Sequence, residues 1–226
     1  MTLKLIPPLD HADLVLCDFD GTVSVIDTGL LVAQSFGFGR FDEIEQCWRR
    51  GEIPSWQCLR EQWALVDTSR ADFRELIANL EVDPGFARLV ELIRTRSARL
   101  VVLSDGLDLY IRQTFDRLGL SDVEFRANHA ALRDGQIVME FPHLDDRCSD
   151  CGNCKTRWLF ELRPGYARTI YIGDGFSDAC AAGYADLVFA KGDLARLCRE
   201  RGQEFLPFSN LDDVTAVLTN GSPAVR

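Results

Sequence analysis

Two aspartates, Asp18 and Asp20, follow a short apolar segment near the beginning of the chain. Residues 14–22 have the sequence LVLCDFDGT, and an apolar run that ends in acids is typical of a buried strand whose carboxyl end carries a ligand site. Side chains two positions apart in a strand point to the same side, so the two carboxylates could share one pocket. There they could hold a cation or divide the roles of nucleophile and acid. The alternative is a strand followed by an ordinary Asp-Gly turn.

Two later apolar segments also end in oxygen-bearing side chains. Residues 98–103 (ARLVVL) are followed by SDG at 104–106, and residues 169–172 (TIYI) are followed by GDGFSD at 173–178. A serine followed by backbone N–H groups at a turn into a helix favours an anion. Together with Lys155, the three strand ends predict one constellation of carboxylates, hydroxyl and ammonium. Oxygen ligands in that number suit Mg²⁺ beside a phosphate group.

The elements that must position these residues are of two kinds. After Thr22, apolar residues recur at three- and four-residue spacing, which predicts helices over residues 27–36, 41–50, 55–66 and 71–80. From Pro84 onward, apolar strands alternate with helical segments, which predicts an α/β fold. We therefore expect a helical cap domain at residues 24–82, inserted after the first strand of a core domain that comprises residues 1–23 and 83–226. A cap in this place would close over the acids.

Composition and charge exclude several classes of protein. The chain has 226 residues and a formal net charge of −10, which argues against a nucleic acid partner, because binding to a phosphate backbone depends on surface Lys and Arg. No stretch approaches about eighteen uncharged apolar residues, and the N-terminus lacks the apolar region of a signal peptide. We therefore expect neither a membrane span nor secretion, and we expect a cytoplasmic location. In that compartment the eight cysteines are expected to be reduced thiols, metal ligands or core residues.

Three of the cysteines lie close together in the sequence. Cys148, Cys151 and Cys154 are separated by two residues each and directly precede Lys155, and His143 lies five residues before the first of them. This spacing allows a zinc site with three thiolates and one imidazole, which would stiffen the loop that presents the lysine. The alternative is that the thiols stay reduced, with Cys151 and Cys154 able to form a disulfide under oxidation. Both interpretations remain open from the sequence.

The chain resembles the haloacid dehalogenase superfamily of phosphatases. Four motifs in order carry the resemblance: DFDGT at 18–22, Ser104, Lys155 and GDGFSD at 173–178. The resemblance implies a Rossmann-like, doubly wound parallel sheet with a small all-helical cap inserted after the first strand. More narrowly, the chain is similar to the branch that holds phosphoserine phosphatase and the methionine-salvage 2-hydroxy-3-keto-5-methylthiopentenyl-1-phosphate phosphatase. The features closest to the methionine-salvage enzyme are FPH at 141–143, CGNCK at 151–155 and LVFAK at 187–191.

The resemblance also implies a mechanism for a small phosphorylated metabolite as substrate. Asp18 would attack phosphorus and form an aspartyl-phosphate, and Asp20 would act first as acid and then as base. The remaining roles implied are Mg²⁺ binding by Asp18, the Asp20 carbonyl and Asp174 with Asp178 in support, and phosphoryl binding by Ser104, Gly106 and Lys155 with Thr22 in support.

The same resemblance leaves alternatives open. Phosphoethanolamine, phosphocholine and pyridoxal-phosphate phosphatases also carry cysteines before the corresponding lysine, so phosphoserine and these three compounds remain alternative substrates. The dehalogenases of the superfamily lack the second aspartate of the first motif, so Asp20 argues against that reaction. A non-catalytic phosphate-binding module with the same fold is the alternative from another functional class.

Overall fold

The computed structural model describes residues 5–36, 40–68, 71–133, 136–144, 148 and 150–223. The chain divides into two compact units. The first unit comprises Met1–Val25, Val82–Leu103 and Lys155–Arg226, and the second comprises Ile26–Glu81 and Ser104–Cys154. No helix in the described part of the chain is both long enough and apolar enough to cross a membrane.

A parallel β-sheet forms the centre of the first unit. The strands of the chain are β1 Leu5–Ile6, β2 Asp13–Asp18, β3 Arg99–Leu107, β4 Glu124–Arg133, β5 Gln136–Glu140, β6 Arg168–Gly173, β7 Leu187–Ala190, β8 Leu206–Pro207 and β9 Ser222–Pro223. Within this unit the sheet has the order β3-β2-β6-β7-β8, with all pairs parallel. Every residue of β2 is buried, as expected for a central strand that is covered on both faces. The short strands β1 and β9 form a separate antiparallel pair.

Helices of the first unit complete its core. They are α5 Phe86–Thr95, α7 Lys155–Leu162, α8 Ala179–Ala182, α9 Gly192–Arg201 and α10 Leu211–Asn220, with a 3₁₀ turn at Phe176–Asp178 before α8. Small and branched apolar side chains of the strands pack against α7, α8 and α9 in one buried cluster that includes Leu16, Leu103 and Leu194. Helices α5 and α10 pack against each other. The predicted α/β fold is therefore confirmed.

The second unit is mostly helical and contains one antiparallel pair of strands. Its helices are α1 Thr28–Phe36, α2 Phe41–Arg49, α3 Ser55–Trp63, α4 Ala71–Ala78 and α6 Asp108–Leu118, and β4 pairs with β5. The first four helices confirm the four helical segments predicted from the apolar spacing. Aromatic pairs lie in the interior of this unit, for example Phe36 with Phe73, whose ring centroids are 5.6 Å apart, and Trp63 stacked on Tyr110. Residues 104–154 group with the helical segment, and the cap boundaries at 24 and 82 stay a prediction.

Candidate active site

Asp18 ends strand β2 at the carboxyl edge of the parallel sheet. Its neighbour Cys17 pairs with Ile172 of β6, so the end of β2 lies beside the turn that follows β6. Carboxylate oxygens of Asp18, Asp174 and Asp178 lie within 4.8 Å of one another. The parallel register thus brings Asp18 together with Asp174 and Asp178, which lie 156 and 160 positions later in the sequence.

Lys155 is the first residue of α7 and lies within this group of acids. Its Nζ contacts Asp18 Oδ1, and donates to Asp178 Oδ1 at 2.6 Å and to the Ser177 hydroxyl at 3.0 Å. The lysine side chain is 2% exposed. An ammonium held by two buried carboxylates at these distances is fixed in position, because charge-assisted hydrogen bonds are about twice as strong as neutral ones.

The turn after β6 is held together by Asp178. One carboxylate oxygen accepts from the backbone N–H groups of Asp174 and Gly175, and the other accepts from the Tyr171 hydroxyl at 2.7 Å. A Cβ at Gly173 would lie 2.6 Å from that carboxylate, so only glycine fits there. The sequence GDGFSD therefore folds into a turn whose last acid supports both the backbone of Asp174 and the ammonium of Lys155.

The turn after β2 is joined to the turn after β6. Thr22 Oγ1 donates to Asp174 Oδ1 at 2.7 Å. Gly21 has φ +80°, and a Cβ at this position would overlap the Asp174 carboxylate, so the turn requires glycine for two reasons. Asp20, in the same turn, is partly buried. The predicted residues Asp18, Thr22, Lys155, Asp174 and Asp178 are thus in one place within the first unit.

Burial and mutual repulsion change the acidity of these aspartates. The pKa of Asp18 is raised well above its usual value, first by burial and then by the charge of Asp178, while Lys155 acts in the opposite direction. Burial and Asp178 raise the pKa of Asp174 to about 6, against the hydrogen bond from Thr22 and the charges of Lys191 and Lys155. Three carboxylates near Lys155 and Lys191 still leave an excess of negative charge in a buried place. Such a set of hard oxygen donors fits a divalent cation such as Mg²⁺.

In the second unit, the end of strand β3 at Ser104 is held by two asparagines. Ser104 is fully buried, and its Oγ accepts from the Gly106 N–H at 2.8 Å. Asn153 donates from its backbone to Asp105 Oδ1 at 3.1 Å and from its side chain to the Ser104 carbonyl at 2.9 Å. The Asn128 side chain donates to the Asp105 carbonyl at 2.6 Å. The segment SDG at 104–106, predicted as a turn, is the end of strand β3, and helix α6 begins two residues later at Asp108. Its backbone is fixed by the hydrogen bonds from the two asparagines.

The three predicted thiols also lie together in the second unit. Sulfurs of Cys148, Cys151 and Cys154 are within 4.8 Å of one another. The pKa of Cys151 is raised, first by its hydrogen bond with Cys154 and then by burial. His143, predicted as a fourth ligand, is not part of this cluster among the described residues.

Several residues of these sites were not predicted from the sequence. Asn153 and Asn128 fix the end of β3 at Ser104. Ser177 accepts a hydrogen bond from Lys155, and Tyr171 donates one to Asp178. Tyr171 lies inside an apolar strand, where its hydroxyl gives no local signal. Asn153 offered a signal, since a polar amide between two cysteines and two residues before Lys155 suggests a structural hydrogen bond.

Comparisons with known proteins agree with this geometry. The profile of the family described as Putative Phosphatase matches residues 13–196. A 2-hydroxy-3-keto-5-methylthiopentenyl-1-phosphate phosphatase of Bacillus cereus (strain B4264) is 27% identical over 208 residues, which are 90% of this chain and 94% of that protein.

Two solved structures have a similar fold. A HAD family hydrolase from Salmonella enterica subsp. enterica serovar Typhi matches with a TM-score of 0.75 at 17% identity, over 94% of this chain and 73% of that one. A phosphoserine phosphatase solved as a phospho-aspartyl intermediate analogue matches with a TM-score of 0.71 at 20% identity, over 91% of this chain and 98% of that one. At these identities the likeness shows the haloacid dehalogenase fold.

Proposed function

The chain belongs to the Putative Phosphatase family and is a phosphoric monoester hydrolase, and we propose that it hydrolyses a small phosphorylated metabolite with Mg²⁺ through an aspartyl-phosphate. The buried group in which Lys155 joins Asp18 to Asp178 carries this proposal. It combines a carboxylate nucleophile, a fixed ammonium and carboxylates that can bind a cation, which are the parts that phosphoryl transfer needs. Membership of a phosphatase family favours the enzyme over a non-catalytic binding module.

In the proposed first step, an oxygen of Asp18 forms a bond to phosphorus while the bond from phosphorus to the leaving oxygen breaks. Asp20 gives its proton to that oxygen, so the metabolite leaves as an alcohol. The contact with Lys155 fixes one oxygen of Asp18, which leaves the other oxygen of the same carboxylate as the attacking atom. Splitting hydrolysis in this way replaces one difficult displacement by two easier ones.

In the proposed second step, water attacks the phosphorus of the aspartyl-phosphate. Asp20, now ionised, takes a proton from this water, and the bond between phosphorus and Asp18 breaks to release phosphate and restore the carboxylate. Mg²⁺, held by Asp18, Asp174 and the Asp20 carbonyl, would supply positive charge that lets anionic nucleophile and phosphate approach. Asp178 would support this set by holding the Asp174 backbone and Lys155.

The phosphoryl oxygens would be bound by Lys155, Ser104 and Gly106. Lys155 would donate charge-assisted hydrogen bonds where charge develops. The roles of Ser104 and Gly106 follow from the resemblance of their motif, and the hydrogen bond from Asn153 to the Ser104 carbonyl supports a fixed backbone at this end of β3. The Gly106 N–H donates to Ser104 Oγ and would exchange that partner for a phosphoryl oxygen. A cytoplasmic location and the lack of a nucleic acid partner stay predictions from the sequence.

For the substrate we propose 2-hydroxy-3-keto-5-methylthiopentenyl-1-phosphate. The protein named as the phosphatase of this compound is similar to the present chain over nearly the whole length of both. Phosphoserine is the second candidate, favoured by the fold match to phosphoserine phosphatase. The two differ in charge, because phosphoserine carries an amino acid group that needs its own ionic partners. Phosphoethanolamine, phosphocholine and pyridoxal phosphate complete the set to be tested.

The test is phosphate release from these compounds with and without Mg²⁺. We expect activity that depends on Mg²⁺, the highest kcat/KM with the methionine-salvage compound, and a loss of several orders of magnitude in Asp18→Asn, because an amide is a poor nucleophile. Acid quenching with ³²P-labelled substrate should leave label on wild-type protein and none on Asp18→Asn. The control is Asp193→Asn, an exposed acid of α9 that pairs with Arg196. Wild-type activity in Asp18→Asn would overturn the mechanism, and higher kcat/KM with phosphoserine would overturn the substrate.

A further inference from the structure

The thiols of Cys148, Cys151 and Cys154 converge in the second unit. Their sulfurs are all within 4.8 Å of one another. Zinc binds thiolate sulfur at about 2.3 Å, which in a tetrahedral site separates two sulfurs by about 3.8 Å. The three sulfurs are therefore close to the spacing that one ion requires, and small side-chain rotations would complete it.

Packing in an apolar core could account for Cys154, which is buried, but it does not account for Cys148 and Cys151. Cys17, Cys58 and Cys198 are buried and behave as small apolar side chains, whereas Cys148 and Cys151 are partly exposed. Partly exposed thiols that point at one another gain little from burial.

Polar contacts hold the backbone of the cysteine loop. Asn153 donates to Asp105, to the Ser104 carbonyl and to the Arg126 carbonyl. The Gly152 N–H donates to the Ser55 hydroxyl at 3.4 Å, and a Cβ at Gly152 would lie 3.0 Å from the Phe141 ring. These contacts fix the backbone at Gly152 and Asn153, between the second and third cysteines. Preorganised ligands of this kind lower the cost of binding an ion.

We propose that Cys148, Cys151 and Cys154 form a zinc site with three thiolate ligands and a fourth position for water. Three soft sulfur ligands favour zinc over Mg²⁺, which prefers oxygen. Each thiol loses its proton to solvent as its bond to zinc forms. This site differs in ligand chemistry from the aspartates of the first unit. Zinc binding does not rest on the proposed function, but the effect on KM expected below does.

The zinc would act as a clamp on the loop between two functional segments. Asn153, between the second and third ligands, donates a hydrogen bond to the Ser104 carbonyl at the end of β3. The third ligand, Cys154, directly precedes Lys155. Fixing the three sulfurs would therefore restrict the backbone at Asn153 and at Lys155. We expect removal of zinc to lower the thermal midpoint and to raise KM more than it lowers kcat.

The experiment uses the full chain, purified under reducing conditions without added metal. Elemental analysis should find about one zinc ion per chain. After zinc is removed with a chelator, titration with Co²⁺ should give thiolate-to-cobalt charge-transfer absorption and the visible bands of tetrahedral cobalt. Cys148→Ser should weaken zinc affinity by about tenfold or more, and the triple serine variant should retain almost none. The matched control is Cys180→Ser, which removes an exposed thiol outside the cluster.

Three results would overturn the proposal. The first is a wild-type chain that contains no zinc and shows no cobalt absorption after titration. The second is a full zinc content in the triple variant. The third is a purified protein in which two thiols are missing and reappear after reduction, which would indicate a disulfide. If the triple variant fails to fold, Cys148→Ser decides the question, because this residue is partly exposed and its replacement should leave the fold intact. Unchanged zinc affinity in Cys148→Ser would then overturn the proposal. Phosphatase activity with Mg²⁺ is assayed separately, and a chain that binds zinc without hydrolysing any substrate would contradict only the proposed function.

Discussion

Replacement of Lys155 by methionine tests the charge balance of the candidate active site. Methionine keeps the approximate length of the side chain and removes the ammonium that contacts Asp18, Asp178 and Ser177. Removing one partner of a buried ion pair costs about 3–5 kcal/mol, because the other charge stays buried without compensation. For a chain of this size each kcal/mol corresponds to about 2–4 °C, so we expect a fall of about 6–20 °C in the thermal midpoint at neutral pH without Mg²⁺.

The same substitution should make stability more sensitive to pH. Lys155 opposes the rise in the pKa of Asp18 and of Asp174, and the pKa of Asp174 is already about 6. Without the lysine both values rise further, so the folded protein binds protons that the unfolded chain releases. Its stability then falls as the pH rises, by up to about 1.4 kcal/mol per pH unit for each proton. The deficit relative to the wild type should therefore be smaller near pH 5 than at neutral pH, and it should grow by about 1–3 kcal/mol between pH 6 and pH 8.

Urea unfolding followed by tryptophan fluorescence measures this deficit at each pH. Adding Asp178→Asn to Lys155→Met removes one of the uncompensated carboxylates, so the double variant should recover part of the lost stability. Arg196→Met is the control, since this exposed arginine pairs with Asp193 and Glu200 at the surface and should cost less than about 1 kcal/mol. A deficit that stays constant from pH 5 to pH 8, or additive effects in the double variant, would refute the reasoning.

Three further substitutions test the turns that follow β2 and β6. Asp20→Asn should reduce kcat less with p-nitrophenyl phosphate, whose leaving group needs little protonation, than with an alkyl phosphate; equal losses on both would indicate a structural role. Thr22→Val removes the hydrogen bond that lowers the pKa of Asp174, so protons should compete better with Mg²⁺ for this carboxylate. The Mg²⁺ concentration for half-maximal activity should therefore rise by up to about tenfold near pH 6, and an unchanged concentration would contradict this. Gly21→Ala should lower the free energy of unfolding, measured in urea, by about 1–3 kcal/mol. The reason is that φ at this residue is +80° and the added methyl group would overlap the Asp174 carboxylate. Unchanged stability would contradict this, since it would mean that the turn relaxes.

Local patterns were sufficient to predict the elements that hold the first unit's site. The run LVLC before Asp18 has the length and composition of a buried strand, and it is strand β2. The carboxyl ends of parallel neighbours meet at one sheet edge, so the acids after β2 and β6 were expected together, and Asp18, Asp174 and Asp178 are within 4.8 Å of one another. The helical spacing after Thr22 is equally local, and it predicted α1 to α4.

Features that depend on long-range contacts were not predictable in this way. Residues 104–154 group with residues 26–81, although nothing in their periodicity distinguishes them from the rest of the α/β segment. The hydrogen bonds of Asn128 and Asn153 to the end of β3 join residues 23 and 49 positions apart, respectively, and an asparagine on its own gives only a turn signal. Sequence spacing also suggested His143 as a fourth zinc ligand, but spacing does not determine the direction of a side chain.

The buried charges of the first unit are better explained by the proposed binding of a divalent cation than by a contribution to the stability of the fold. Three nearby carboxylates outnumber the two lysines that act on them, Lys155 and Lys191, and this leaves net negative charge in a buried place. Burial together with that charge raises the pKa of Asp18. Apolar residues of similar volume at such positions are often as stable or more stable. Bringing a divalent cation to this site would replace the protons and offset the repulsion at the same time. The acids would then be ionised near neutral pH, which is the state that Asp18 needs to act as a nucleophile.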